Sequence, residues 1–275
     1  MPAQAVAGSL AYVNWALFAA LGLGAFAVAA GGRLLTDATR GYLGFTTALA
    51  SLCGLLALVI DLNLPSPDGL AIVAAPGADT PRRVALVVFV VAAAAYVPFL
   101  ARGQRAPAVA LLGVGAGGLA LVLGGIGWAG GVAAGVPAAL HLLVLAAATG
   151  GVTAIMILGH WYLVTPRLSE RPLVLAARVL TAVVAVQVVL FVVWSAVGVG
   201  TGQPFGALRA GPAVFVWLRL LIGLLFPLVL SWMAVRTART RSMESATGLL
   251  YIDTAAIVSG TIVAAGLWVG SGLLV

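Results

Sequence analysis

From Pro137 to Val164 the chain reads PAALHLLVLAAATGGVTAIMILGHWYLV, 28 residues without one Asp, Glu, Lys or Arg. As a helix rising about 1.5 Å per residue it would measure roughly 42 Å, more than the ~30 Å hydrocarbon core of a bilayer. Inside lipid the backbone must satisfy its own polar groups, and a continuous apolar run does so only as a helix. The alternating segments of about ten residues that mark a membrane barrel are absent from it.

Working outward, seven further runs of similar character appear: Ser9–Ala30, Gly41–Leu62, Val84–Ala101, Ala108–Trp128, Pro172–Val199, Ala213–Val235 and Thr247–Leu274. Charged residues make up 8% of the 275 residues and the mean hydropathy is +1.19, against roughly 25% charge in soluble domains. The sequence therefore predicts an all-α, polytopic membrane bundle of about eight transmembrane helices, forming one domain over residues 1–275. The first run has no basic segment before it and exceeds twenty residues, so it reads as a retained span and not as a cleaved signal peptide.

The net charge of +7 would suggest nucleic acid in a soluble protein. Here the arginines fall between the apolar runs and describe topology, so no nucleic-acid partner is expected. The first, third, fifth and seventh connections hold Arg33, Arg40, Arg102, Arg105, Arg167, Arg171, Arg236, Arg239 and Arg241, whereas the others hold only Arg82, Arg83 and Arg209. By the positive-inside rule the odd connections face the cytoplasm and both termini lie outside, in a cytoplasmic (inner) membrane.

The connection Asn63–Arg83 is long and proline-rich (Pro65, Pro67, Pro76, Pro81), with an apolar middle at Leu70–Ala75. It reads as an interfacial loop, or as a lid over a site. Gly113 and Gly117, Gly127 and Gly131, and Gly266 and Gly270 have the spacing of close helix approach, which implies tight packing within the bundle before dimerisation. Shifting the chain by 127 residues lays Asn14 on His141, Gly24 on Gly151, Gly32 on Gly159 and Arg40 on Arg167. That is a weak trace of a four-plus-four helix duplication, 1–130 and 131–275. Cys53, the single cysteine, reads as inert packing.

Polar side chains inside lipid need a reason, so they carry the functional signal. The inner end of the fifth run gives His160, Trp161 and Tyr162. They form either an aromatic belt or a site for the head group of a quinone, a lipid or a redox partner. Arg178, in the sixth run, and Asp253, in the eighth, enter from the same side and would complete it as an ion pair. Near the outer face stand Asp61, His141 and Arg219; Arg219 needs a carboxylate, a carbonyl or a bound anion, with Asp61 the expected partner where the two helices adjoin. Gln187 is alone near mid-membrane, and it and Asn14 read as hydrogen-bonding glue between helices. Pro227 withholds a backbone donor and so frees a carbonyl one turn earlier.

His141 and His160 are nineteen residues apart on one run, roughly 28 Å, so they cannot share a haem. A haem held by His160 with Met233 or Met243 lacks any supporting spacing motif. No phosphate-binding loop, HExxH or Gly-x-Ser-x-Gly elbow is present, and no catalytic residue or metal site is expected. The leading reading is a membrane subunit that binds a quinone or lipid, with membrane lipids and other membrane subunits as partners. A small proton-coupled transporter and a purely structural anchor or assembly subunit are the alternatives.

Overall fold

A computed structural model describes residues 3–275 apart from Pro76, Pro166, Arg167 and Ala210, and excludes the side chains of Ala3–Ala7. Arg167, one of the arginines used above for topology, lies outside the described residues, as does Pro76. Among the described residues the fold is all-helical, with eight helices long and apolar enough to cross a membrane. They are α1 (Ala3–Leu35), α2 (Arg40–Leu62), α3 (Asp79–Ala101), α4 (Pro107–Trp128), α5 (Val132–Val164), α6 (Arg171–Val197), α7 (Ala213–Arg239) and α8 (Met243–Ser271).

Helix ends differ from the hydropathy bounds for local reasons. α3 begins at Asp79, five residues before the expected Val84, because Arg82 and Arg83 lie inside the helix and are neutralised there by carboxylates. α6 stops at Val197 because Gly198 adopts a left-handed φ of 77°, the usual terminator of a helix. In α7 the ladder passes through one π-type stretch, Leu221–Leu225, just before Pro227. A π-bulge is one of the ways a helix absorbs an interruption of its hydrogen bonds.

α1, α5 and α8 form the enclosed centre of the bundle. α1 lies against α2, α4, α5 and α8, and α5 lies against α1, α4, α6 and α8. α2 and α3, α3 and α4, and α6 and α7 are neighbours around this centre, and their outward faces carry exposed apolar residues such as Leu111, Val193 and Val214. Glycine sets the spacing. An added Cβ at Gly113 would meet the ring of Phe26, and one at Gly117 would meet Leu23 and Phe89, so this glycine pair serves packing inside the bundle.

The long connection after α2 is laced across its end of the bundle. Ala71 N–H donates to Val269 O (2.9 Å), Val73 N–H to Trp128 O (2.9 Å) and Ala75 N–H to Gly127 O (2.8 Å). These carbonyls belong to the last turns of α4 and α8, where they have no N–H donor within their own helices. Ile72, between these two anchor points in the chain, is only 3% exposed, and Tyr12 Oη donates to Pro65 O at 2.7 Å. The loop thus supplies the donors that two helix ends lack.

Candidate functional site

The site begins where α1 and α5 cross. A Cβ on Gly24 would collide with the backbone of Ala146 and Gly150, and one on Gly150 with the backbone of Gly24 and Ala25. The two helices therefore touch main chain to main chain at that level. Beyond the crossing, towards the end where the arginine-bearing odd connections gather, Gly31 and Gly151 have nothing within 4 Å of an added Cβ. These two glycines leave space where the first pair removes it.

That space is an apolar cleft of about 280 Å³ between α1 and α6, floored by α5. Gly31, Gly32 and Leu35 line one wall, Gly151, Ile155 and Leu158 the floor, and Leu175, Val179 and Val183 the other wall. Its lining on α1 runs from Gly24 to Leu35, about 17 Å along the axis, slightly more than half of a ~30 Å hydrocarbon core. Leu35 and Val179, at 69% and 55% exposed, leave it open sideways to the surroundings of the bundle.

A second hollow, of about 340 Å³, adjoins it at the start of α6 and the end of α7. Glu170, Arg171, Val174, Leu175, Arg178 and Arg239 line it, and Leu175 is common to both hollows. A third hollow, of about 330 Å³ and polar, lies between the end of α5 and the start of α8, with Tyr162, Arg241, Ser242 and Glu244 in its wall.

The five residues anticipated as one ligand site point in different directions. His160 is exposed, with Nδ1 3.3 Å from the Tyr251 hydroxyl of α8. Trp161 lies on Gly41 at the start of α2, where a Cβ would come within 2.7 Å of the indole. Tyr162 is buried and donates to Ser169 O at 2.5 Å. Arg178 is exposed beside Arg171 and Arg239. Asp253 is wholly buried, and neither carboxylate oxygen has a hydrogen-bond partner among the described residues. The anticipated Arg178–Asp253 ion pair is absent among them, because Arg178 faces out from α6 while Asp253 faces the centre of the bundle.

The anticipated Asp61–Arg219 pair is also replaced. Asp61 accepts from Arg82 Nε (2.7 Å) and Nη2 (3.1 Å), and from Arg83 Nε (3.0 Å). Arg82 also reaches Asp79 at 2.9 Å, and its guanidinium stands 4.5 Å over the Trp128 ring and 5.9 Å from that of Trp15. Consecutive antiparallel helices put the end of α2 beside the start of α3, so the nearest cations reach Asp61 first. Arg219 instead donates from Nη1 to Gly223 O (3.0 Å) and from Nε to Val275 O (3.3 Å). Gly223 O is the carbonyl that Pro227, four residues on, leaves without its helical donor.

His141 is buried with its ring edge-on to Trp194 at 5.5 Å, and its Nε2 has no partner among the described residues. Gln187 donates from Nε2 to Val144 O at 3.1 Å and so ties α6 to α5. Sequence reasoning missed the cleft and the Asp61–Arg82–Arg83 cluster. The acid and the two arginines bracket the proline-rich loop at positions 61 and 82–83, which was the available signal for the cluster. Comparison with protein-family models, with curated proteins and with solved structures returns no match.

Proposed function

We propose that this is a membrane protein that holds a long-chain amphiphile, a quinone or a lipid, in the cleft between α1 and α6, with its arginine-rich end on the cytoplasmic side. In this reading it serves as a membrane subunit, and redox chemistry, where the ligand is a quinone, passes to a partner subunit. The observation that carries it is the pair Gly31 and Gly151. Glycine inside a helix costs about 0.5–1 kcal/mol relative to alanine, and here it buys no close contact, only an apolar groove one leaflet deep.

The test uses the full chain purified in mild detergent, with bound lipids and quinones extracted for mass spectrometry. Wild type is expected to carry a long-chain amphiphile at near-stoichiometric amount, and Gly151→Leu to lose most of it while melting normally. An empty wild type, or a Gly151→Leu variant that retains the ligand in full, overturns the reading.

A second reading, proton-coupled transport, is favoured by Asp253 alone. A buried carboxyl without a hydrogen-bond partner needs a proton, a cation or a moving water. Proteoliposomes loaded with a pH-sensitive dye would decide it. Proton uptake lost in Asp253→Asn supports transport, and identical traces for both proteins dismiss it.

A further inference from the structure

Arg178 lies seven residues into α6, about 10 Å along the axis, on an exposed flank of a membrane helix. Among the described residues it pairs with no carboxylate. An arginine in that position lays its methylenes along the helix and carries its guanidinium to headgroup level. Arg171 stands two turns away on the same face of α6, and Arg239 arrives from the last turn of α7. All three line one hollow of about 340 Å³.

The only acid in that lining, Glu170, already faces Arg241 at 3.6 Å. The hollow therefore keeps an excess of positive charge. Its wall at Leu175 is also a wall of the apolar cleft. A cationic notch and a greasy groove joined at one residue have the shape and polarity of a single molecule with an anionic head and a long tail. Guanidinium forks suit the oxygens of a phosphate, whereas a neutral quinone ring offers two carbonyls and gives three cations no counter-charge.

We infer that the occupant is an anionic phospholipid, with its phosphate held by Arg171, Arg178 and Arg239 and one acyl chain laid on Gly151 and Ile155. This rests on the cleft being a tail site, as proposed above. It makes the protein selective among the lipids around it, because basic pockets between membrane helices discriminate by head group.

The experiment is native mass spectrometry of the delipidated full chain. It is titrated separately with phosphatidylglycerol and phosphatidylcholine of identical chains, with ubiquinone, and with inorganic phosphate. Phosphatidylglycerol is expected to bind on the order of 10- to 30-fold tighter than phosphatidylcholine. The double variant Arg178→Gln/Arg239→Gln should bring the two lipids level at unchanged melting temperature. Gly151→Leu should weaken both lipids together and preserve their ratio. Equal binding of the two lipids by wild type overturns the proposal. So does a preference that survives the double variant, free phosphate binding as tightly as the lipid, or ubiquinone outcompeting phosphatidylglycerol. Should Gly151→Leu leave both lipids untouched while the arginine variants erase the preference, the headgroup notch stands and the tail site in the cleft falls.

Discussion

At the end that carries the Asn63–Ala78 loop, Asp61 holds Arg82 and Arg83, Trp128 lies under the guanidinium, and the loop supplies the donors that α4 and α8 lack. At the opposite end several arginines contact the protein itself, and Arg236 lies over the Trp232 ring at 5.4 Å. Arg33 donates to the carbonyls of Gly103 and Gln104, and Arg241 to Leu168 O, so these two tie connections together. Among the described residues Arg171, Arg178 and Arg239 make no such hydrogen bond, and they surround a hollow. At the first end the buried charges Asp61 and Arg82 are paired within the chain, while the other end presents exposed cations and an open groove. A polar group paired inside the protein works for stability, and one held without an internal partner is available to something else.

This comparison can be broken in four places. The largest effect belongs to Asp61→Asn, which strips the buried Arg82 of its main counter-charge. Loss of one partner of a buried pair costs about 3–5 kcal/mol, and the lower end applies because Asp79 stays at 2.9 Å. Thermal unfolding in detergent should show the loss, and the double variant Asp61→Asn/Arg82→Gln should recover part of it. A melting curve unchanged by Asp61→Asn would mean that this end is not held by charge.

Next is Gly24→Ala, where the new methyl meets the main chain of α5. Overpacking of this kind costs about 1–3 kcal/mol, measured by the denaturant midpoint for loss of helicity. Gly151→Ala, one residue beyond the crossing partner Gly150, should stay within about 0.5 kcal/mol of wild type because its Cβ enters open space. Equal losses at both sites would erase the distinction between contact glycines and space glycines.

Smaller again is Thr261→Val, which removes the 2.6 Å hydroxyl contact with Thr149 between α5 and α8. Side-chain hydrogen bonds between membrane helices average about 0.6 kcal/mol, so steric-trap unfolding should register a loss of that order. The smallest change is Arg178→Gln. An exposed side chain with no internal partner should alter stability by less than about 0.5 kcal/mol once bound lipid is stripped away. A drop of several kcal/mol in the delipidated protein would show that Arg178 does structural work.

The eight spans were legible because burial in lipid imposes a length and a composition that a single run of sequence displays by itself. What reached beyond one run was read less well. Arg82 and Arg83 looked like loop residues because two adjacent charges depress hydropathy, although a carboxylate 21 residues earlier neutralises them inside a helix. Of the carboxylate, carbonyl or anion that Arg219 requires, Asp61 was the favoured partner, yet the carbonyl released by Pro227 lay on its own helix, four residues away. The cleft had no local signature at all. Gly24 and Gly31 are the same residue type on one helix, and only the position of α5 makes the first a contact and the second a gap.

The main-chain contact of Gly24 with Gly150 has a consequence for supply. With α1 and α5 in main-chain contact at that level, the two helices can draw no closer there, and the groove widens only beyond it. The cleft opens sideways between α1 and α6, past the exposed Leu35 and Val179, so the lipid proposed above would enter it by diffusion within the membrane. Occupancy by that lipid would then follow its mole fraction in the membrane and not its concentration in water. Dilution of the cell or the vesicle would leave the site filled, whereas a shift in membrane composition would empty it.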